Sequence, residues 1–352
     1  MADHRVNESI IKAGEVHDEE EKSRGVRDRI IKSSRINYVP RDFVTVWSVS
    51  AGETLILPLK SGESYDFTVD WGDGNLSEVT AYDDPDKDHT YASAGSYTVK
   101  IRGVINGFKF GADNTSATNL QEIKRWGPYS FGSHGPQQFR YCSQMDITAD
   151  DVPGLTGTTS LFRAFQGCTS LVGTDAFNEW DTSDVTQMHY MFNNAKKFNA
   201  DISGWDTSSV TRMEFMFRDA DDFNADISSW DVSNVTKMRY MFDSAHAFNQ
   251  PIGQWDTSSL TDAVLMLFDA ESFDQDLSGW DVTSLDAADF ILEDSGLTTP
   301  NYDALLIGWA SQAVKSGVSL GVGSVQYTSA AQSARDTLTN TYNWTIDDGG
   351  LA

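Results

Sequence analysis

Residues 198–220 read FNADISGWDTSSVTRMEFMFRDA, and residues 223–245 read FNADISSWDVSNVTKMRYMFDSA. The second is the first moved along by 25 positions. Followed in both directions, Trp180, Trp205, Trp230, Trp255 and Trp280 keep that spacing. So do Met191, Met216, Met241 and Met266, then Phe198, Phe223, Phe248 and Phe273, then Ile202, Ile227, Ile252 and Leu277. Columns held in phase in this way define a unit that cannot bury its apolar face alone, so neighbouring units must stack.

Within one unit, ISxWDxS alternates apolar and polar residues and predicts a strand of a parallel sheet. The following VTxMxxMFxxA sets Val210, Met213 and Phe217 at helical spacing and predicts a short helix, with Ser208 and Ser209 placed to cap it. Looser copies precede these units at 120–126, 139–155 and 161–177, where the insertions GPYSFGSHGPQQ and TADDVPG are expected to bulge outward. After Asp281 the period fails. Residues 301–316 and 329–342 then read as two helices before a last strand NWTI, and 295–352 is expected to cap the stack.

Upstream, residues 44–104 carry short alternating runs separated by turn signals such as AG, SG and GDG, which predicts a small antiparallel sandwich. The stretches DWGDG (70–74) and HTYASAGSYTVKI (89–101) contain Trp71, Gly72, Asp73, Gly74, His89, Tyr91, Gly95, Tyr97 and Val99 in an order that resembles the polycystic kidney disease (PKD) repeat. That resemblance implies an immunoglobulin-like spacer or adhesion module without an active site. The motif FNxDISxWDxSxVTxMxxMF resembles the BspA-like leucine-rich repeat, over roughly residues 115–350. Members of that family look like adhesins or host-contact proteins, mostly without enzymatic activity. The expected fold class is therefore mixed: a PKD-like β-sandwich, then an α/β leucine-rich-repeat solenoid with a parallel β-sheet and a C-terminal helical cap. The expected domains are a charged arm at 1–43, the sandwich at 44–108, the solenoid at 115–294 with its period clearest at 177–281, and the cap at 295–352.

Charge narrows the partners. Lys and Arg number 26 against 52 Asp and Glu, giving a formal net charge of -26. Residues 1–45 hold nine basic and nine acidic side chains, so 17 basic face 43 acidic in the remainder. Such a field repels nucleic acid. No stretch has signal-peptide character and none approaches a membrane-spanning length of apolar residues, so neither Sec export nor membrane insertion is expected. A sandwich and a repeat behind a charged arm, with no export signal, point to an exposed component of a bacteriophage virion: a head decoration, fibre or tail adhesion protein. The arm at 1–45 would then contact other virion proteins or another copy of the chain, and the repeats a host surface protein or glycan. A bacterial cell-surface or secreted adhesin is the alternative, and an architectural decoration protein without a ligand is the second.

No enzyme is expected. The six His residues form no metal-binding signature, and there is neither GxSxG nor a phosphate-cradling glycine loop. Cys142 and Cys168 read as buried small side chains. No cofactor is expected apart from a weak possibility of structural calcium. The aspartate column at 181, 206, 231, 256 and 281 would stack carboxylates about 5 Å apart, and Asp201, Asp206, Asp226, Asp231, Asp276 and Asp281 are the calcium candidates, set against a reading in which each carboxylate accepts local backbone and hydroxyl hydrogen bonds. Partner recognition is expected at two places. One is the insertion, through Tyr129, Phe131, His134 and Gln137. The other is the set of positions that change from unit to unit while the core columns repeat, represented by His189, Tyr190, Arg212, Glu214, Arg239 and Tyr240.

Overall fold

A computed structural model describes residues 42–111, 115–132 and 135–352. The charged arm expected at 1–43 therefore falls outside the described residues, apart from its last two positions, and so does His134. Nine strands come first: β1 (Phe43–Val49), β2 (Thr54–Ile56), β3 (Tyr65–Asp70), β4 (Leu76–Val79), β5 (Asp88–Thr90), β6 (Gly95–Asn106), β7 (Leu120–Arg125), β8 (Tyr129–Ser130) and β9 (Asp146–Ile147). Seven of them form one sheet in the order β4-β3-β6-β1-β7-β9, with β8 on β6, while β2 and β5 pair separately. The long β6 is its axis, antiparallel to β1 on one side and β3 on the other. At Gly103 the backbone of β6 has φ 132°, and a Cβ there would lie 2.2 Å from the Asp66 carbonyl oxygen. Only glycine permits strands to approach that closely.

This sheet corrects the expected PKD-like sandwich. β7 pairs with β1, β9 with β7 and β8 with β6, so segments beyond residue 115 complete a mixed sheet begun by the segment 44–108. The residues that carried the resemblance do cluster: Trp71 stacks on His89 at 4.9 Å, and the Tyr91 hydroxyl donates to the Trp71 carbonyl at 2.9 Å. Period-two alternation had marked strands without saying which would be neighbours.

The leucine-rich-repeat solenoid is corrected as well. Between β9 and Thr299 the described chain has no α-helix and no extended strand, just one 3-10 turn at Asp175–Glu179 and a series of isolated parallel bridges. The bridges link Ser160 to Gln187, and then Gln187, Arg212, Lys237, Asp262 and Ala287 in succession. They fall in the segment expected to be helical, while ISxWDxS forms no strand at all. The physical reason lies in the backbone. Tyr190 and Asn194, Phe215 and Asp219, Tyr240 and Ser244, and Leu265 and Asp269 all have φ between 54° and 61°. An excursion into the left-handed region at every fourth residue turns the intervening N–H groups away from their own carbonyls, which ends any α-helix. The donors reach the next turn instead: Met213, Phe215, Phe217 and Asp219 donate to the carbonyls of Lys237, Arg239, Met241 and Asp243 at 2.8–3.2 Å.

Side chains stack across the same turns. Phe165, Phe192, Phe217 and Phe242 follow one another at 5.6–5.7 Å with nearly parallel rings. Each indole N–H reaches back to a carbonyl: Trp205 to Phe177, Trp230 to Ile202, Trp255 to Ile227 and Trp280 to Ile252. Asn199, Asn224 and Asn249 each accept from the backbone N–H one turn later, at 2.8–3.0 Å. Cys142 and Cys168 are free and buried.

At the C-terminus stand α1 (Thr299–Ala310), β10 (Ser319–Gly321), α2 (Gln332–Asn340) and β11 (Thr345–Asp347), with β10 parallel to β11. Trp309 of α1 donates to the Leu277 carbonyl and Asp274 accepts from Thr298, so the indole and asparagine columns both end on this segment.

Candidate functional site

The segments that carry the left-handed residues form a ladder of hydrogen bonds from turn to turn, and this ladder presents a column of aromatic side chains. Tyr190, Phe215 and Tyr240 stand directly over one another, with ring centroids 4.3 and 4.7 Å apart and planes within 9°. Leu265 and Phe290 continue the column, and Phe290 is 46 % exposed. The other members are half-buried. A bulky side chain at positive φ is strained, and such strain persists where the surrounding structure over-determines it. Here the inter-turn hydrogen bonds on either side do so.

Arginines flank the column. The Arg163 guanidinium lies 4.7 Å from the Phe162 ring and 4.8 Å from the Tyr190 ring, and Arg218 lies 5.7 Å from Tyr240. Arg212 pairs with Glu214 at 2.8 Å and Arg218 with Asp243 at 2.8 Å. In both pairs the carboxylate is buried beneath an exposed guanidinium, with side-chain exposures of 6 % against 46 % and 6 % against 41 %. Arg239 pairs with Asp262 at 3.4 Å. Burial holds the Asp243 carboxyl above its usual range despite the arginine beside it. Among the described residues three buried polar side-chain atoms lack a hydrogen-bond partner, and all belong to these segments: Arg163 Nε, His189 Nδ1 and Glu293 Oε2.

His189 is buried and stacks on Phe162 at 4.3 Å. Its pKa falls to about 4, chiefly because burial disfavours the cation, with Arg212 adding to the effect. The unfolded chain takes up this proton near the ordinary pKa of ~6.5, whereas the folded chain refuses it until about pH 4. Stability is therefore complete above that ordinary value and is lost as pH falls through the window. Between pH 7 and pH 5 the loss is about 2 kcal/mol. Urea unfolding at the two pH values is expected to show it in the wild type and not in His189→Gln; an equal loss in both would assign the effect elsewhere.

The expected recognition residues are thus divided. His189, Tyr190, Arg212, Glu214, Arg239 and Tyr240 all lie on the ladder segments, although His189 and Glu214 are buried. Tyr129 and Phe131 are each 1 % exposed and pack in the core against Phe139, which corrects their expected place on an outward loop. The insertion folds inward because the Tyr129 hydroxyl and the Gln138 amide satisfy the backbone at Phe108 and Phe131. Gln137 is half-buried, at φ 65°. Sequence reasoning missed Phe215, Arg163 and Arg218. The signal was a Tyr/Phe/Tyr column at 190, 215 and 240, hidden by reading the segment as a helix, in which it would have pointed elsewhere.

Each of the six aspartates proposed for calcium accepts a hydrogen bond two residues on. Asp201, Asp226 and Asp276 accept from the N–H of Ser203, Ser228 and Ser278 at 2.9 Å. Asp206, Asp231 and Asp281 accept from both the N–H and the hydroxyl of Ser208, Ser233 and Thr283. The bond from the Ser228 N–H holds the exposed Asp226 carboxyl below its usual range. Among the described residues, the metal-ligand atoms that converge, within 4.8 Å of one another, belong to His246, Asp269 and Glu271. His246 Nε2 lies 3.4 Å from Asp269, and Nδ1 lies 3.6 Å from Asp221. An imidazole among carboxylates is a donor set that could hold a divalent transition metal. No described helix is long and apolar enough to cross a membrane.

Residues 159–280 and 228–315 match a family model described as a Mycoplasma protein of unknown function, DUF285. This match falls on the stacked turns, and it replaces the resemblance to BspA-like leucine-rich repeats. No curated protein and no solved structure matches the chain.

Proposed function

We propose that this chain is a non-enzymatic structural and binding protein that meets its partner through the ladder face centred on Tyr190, Phe215 and Tyr240. The observation that carries the reading is a contrast between columns. The Trp, Phe and Asn positions repeat from turn to turn and are occupied with packing and backbone hydrogen bonds. The ladder positions change identity at each turn, and they hold half-exposed aromatic residues in strained conformations beside arginines, the residue types that dominate binding energy at interfaces.

The virion placement is carried forward as part of the proposal, with the bacterial envelope as its competitor. Mass spectrometry of particles, envelope and soluble fractions from the producing culture decides between them: enrichment in particles at fixed stoichiometry supports the first, and recovery in the envelope without particles overturns it. Binding of the labelled full chain to the fraction that holds it tests the face. The double variant Phe215→Ser/Tyr240→Ser is expected to bind at least about tenfold more weakly. Unchanged binding by a folded variant would move the site off the ladder.

A further inference from the structure

The turns carry a further column whose members differ in charge: Lys196, Asp221, His246 and Glu271, each 25 residues after the last. Backbone hydrogen bonds fix its register. Asp222 donates to the Lys196 carbonyl at 2.9 Å, Ala247 to that of Asp221 at 3.1 Å and Ser272 to that of His246 at 3.2 Å. Asp269, just before Glu271 in the chain, is held by its own ladder bond to the Glu293 carbonyl at 2.9 Å. Ligand atoms of His246, Asp269 and Glu271 lie within 4.8 Å of one another. The imidazole divides its two nitrogens. Nε2 is 3.4 Å from Asp269 and Nδ1 is 3.6 Å from Asp221, both longer than the about 2.7–3.2 Å of an N–H···O hydrogen bond. Unlike the six aspartates proposed for calcium, the Glu271 carboxylate accepts no hydrogen bond and makes no ion pair among the described residues.

We infer that His246 Nε2, Asp269 and Glu271 bind one divalent transition-metal ion of the zinc class, with Asp221 as the positioning residue that orients the imidazole. Ligands about 2.1 Å from a tetrahedral zinc stand about 3.4 Å apart. That spacing is already set between Nε2 and Asp269. Glu271 has a long, exposed side chain, so a change of rotamer closes its remaining distance without moving the backbone. Asp221 suits the other role because its two oxygens are divided: one faces His246 Nδ1, and the other accepts from Lys196 at 3.2 Å. A metal-bound imidazole keeps its second N–H for such a carboxylate, which fixes the tautomer and raises the basicity of the bound nitrogen. The imidazole also selects the metal, since calcium and magnesium take oxygen ligands. Two carboxylates balance the charge of a divalent ion, and the ion relieves the repulsion between them. Three protein ligands leave the fourth position to water. With His246 in one turn and Asp269 and Glu271 in the next, the ion ties successive turns through side chains, beside the backbone bonds that already join them.

The test is isothermal titration of Zn2+ into the full chain, freed of metal by a chelator and held in excess Mg2+. One ion per chain is expected to bind in the micromolar range. His246→Ala is expected to weaken binding at least about a hundredfold, and Asp221→Ala, which leaves all three ligands in place, about tenfold or more. Both side chains are more than a third exposed and lie outside the packed columns, so the metal-free variants are expected to unfold at the wild-type temperature, which separates lost binding from lost fold. Co2+ in place of Zn2+ is expected to show the visible absorption of a four-coordinate site in the wild type and not in His246→Ala. A wild type that takes up no zinc overturns the inference. So does uptake that His246→Ala leaves unchanged, which would assign the ion to the acidic surface at large or to another histidine. Unchanged affinity in Asp221→Ala overturns the positioning role given to that carboxylate.

Discussion

Trp230→Ala is expected to lower the unfolding free energy by about 3–5 kcal/mol, as large truncations in well-packed cores do. The indole is 3 % exposed, and it lies parallel to Trp205 at 6.2 Å and tilted on Phe217 at 6.2 Å. Its N–H donates to the Ile202 carbonyl at 3.1 Å, so truncation both opens a cavity and removes one of the two hydrogen bonds that carbonyl accepts, the other coming from the Trp205 N–H at 3.2 Å. The second effect separates from the first in Trp230→Phe, which keeps much of the ring stack and loses the donor; because the carbonyl keeps its other donor, the lost hydrogen bond is expected to cost about 0.5–1.5 kcal/mol. Urea unfolding followed by far-UV circular dichroism gives both values. A loss below about 1 kcal/mol for the alanine variant would mean that the indole column is not part of the packed core.

The indole column illustrates how much of this molecule could be read in advance. Trp180, Trp205, Trp230, Trp255 and Trp280 are all nearly inaccessible, and the 25-residue spacing alone placed them in mutual contact. Spacing reports which residues meet, since burial repeats with the unit. It does not report the path of the backbone between them. Met213 and Phe217 are as buried as a helix would make them. Yet Phe215 and Asp219 sit at positive φ, and no glycine or asparagine stands at either position of this turn to announce it. The conformation is imposed by hydrogen bonds to the next turn, information that no single turn contains. Strand pairing failed to be legible for a related reason. β6 shows its alternation, but its pairing with β8 joins Ile105 to Tyr129, and β9 adds Asp146 and Ile147 beside β7. The candidate site was half legible. Variation against a fixed background picked out Tyr190, Arg212 and Tyr240, whereas Tyr129 and Phe131 looked like an exposed aromatic loop and are core residues because Gln138, from within, accepts from the Tyr129 hydroxyl and donates to the Phe131 carbonyl.

The second large effect is expected at the far end of the stack. Arg335 of α2 grips Asp348 with Nε at 2.7 Å and a terminal nitrogen at 3.1 Å. The Tyr302 hydroxyl of α1 donates to the same carboxylate at 2.7 Å, and the Gly350 N–H at 3.1 Å. The carboxylate side chain is 2 % exposed, so one ion ties α1, α2 and the segment after β11 together out of contact with water. Burial, followed by the bond to Asp348, pushes the Tyr302 hydroxyl well above its ordinary pKa, so it remains a donor throughout the accessible range. Arg335→Met removes the counter-ion and leaves the carboxylate stranded, at a cost of about 3–5 kcal/mol. Adding Asp348→Asn to that variant removes the orphaned charge and is expected to recover part of the loss. The effect reaches the proposed binding face, because Gly321 of β10 donates to the Ala288 carbonyl and accepts from Leu292, clamping the turn that presents Phe290. In Arg335→Met, amide exchange at Leu292 is therefore expected to speed up more than at Phe217, which lies three turns away and is held by its own neighbours. Equal acceleration at both amides would mean that the stack opens as one unit, and that the cap stabilises the whole ladder and not its last turn alone.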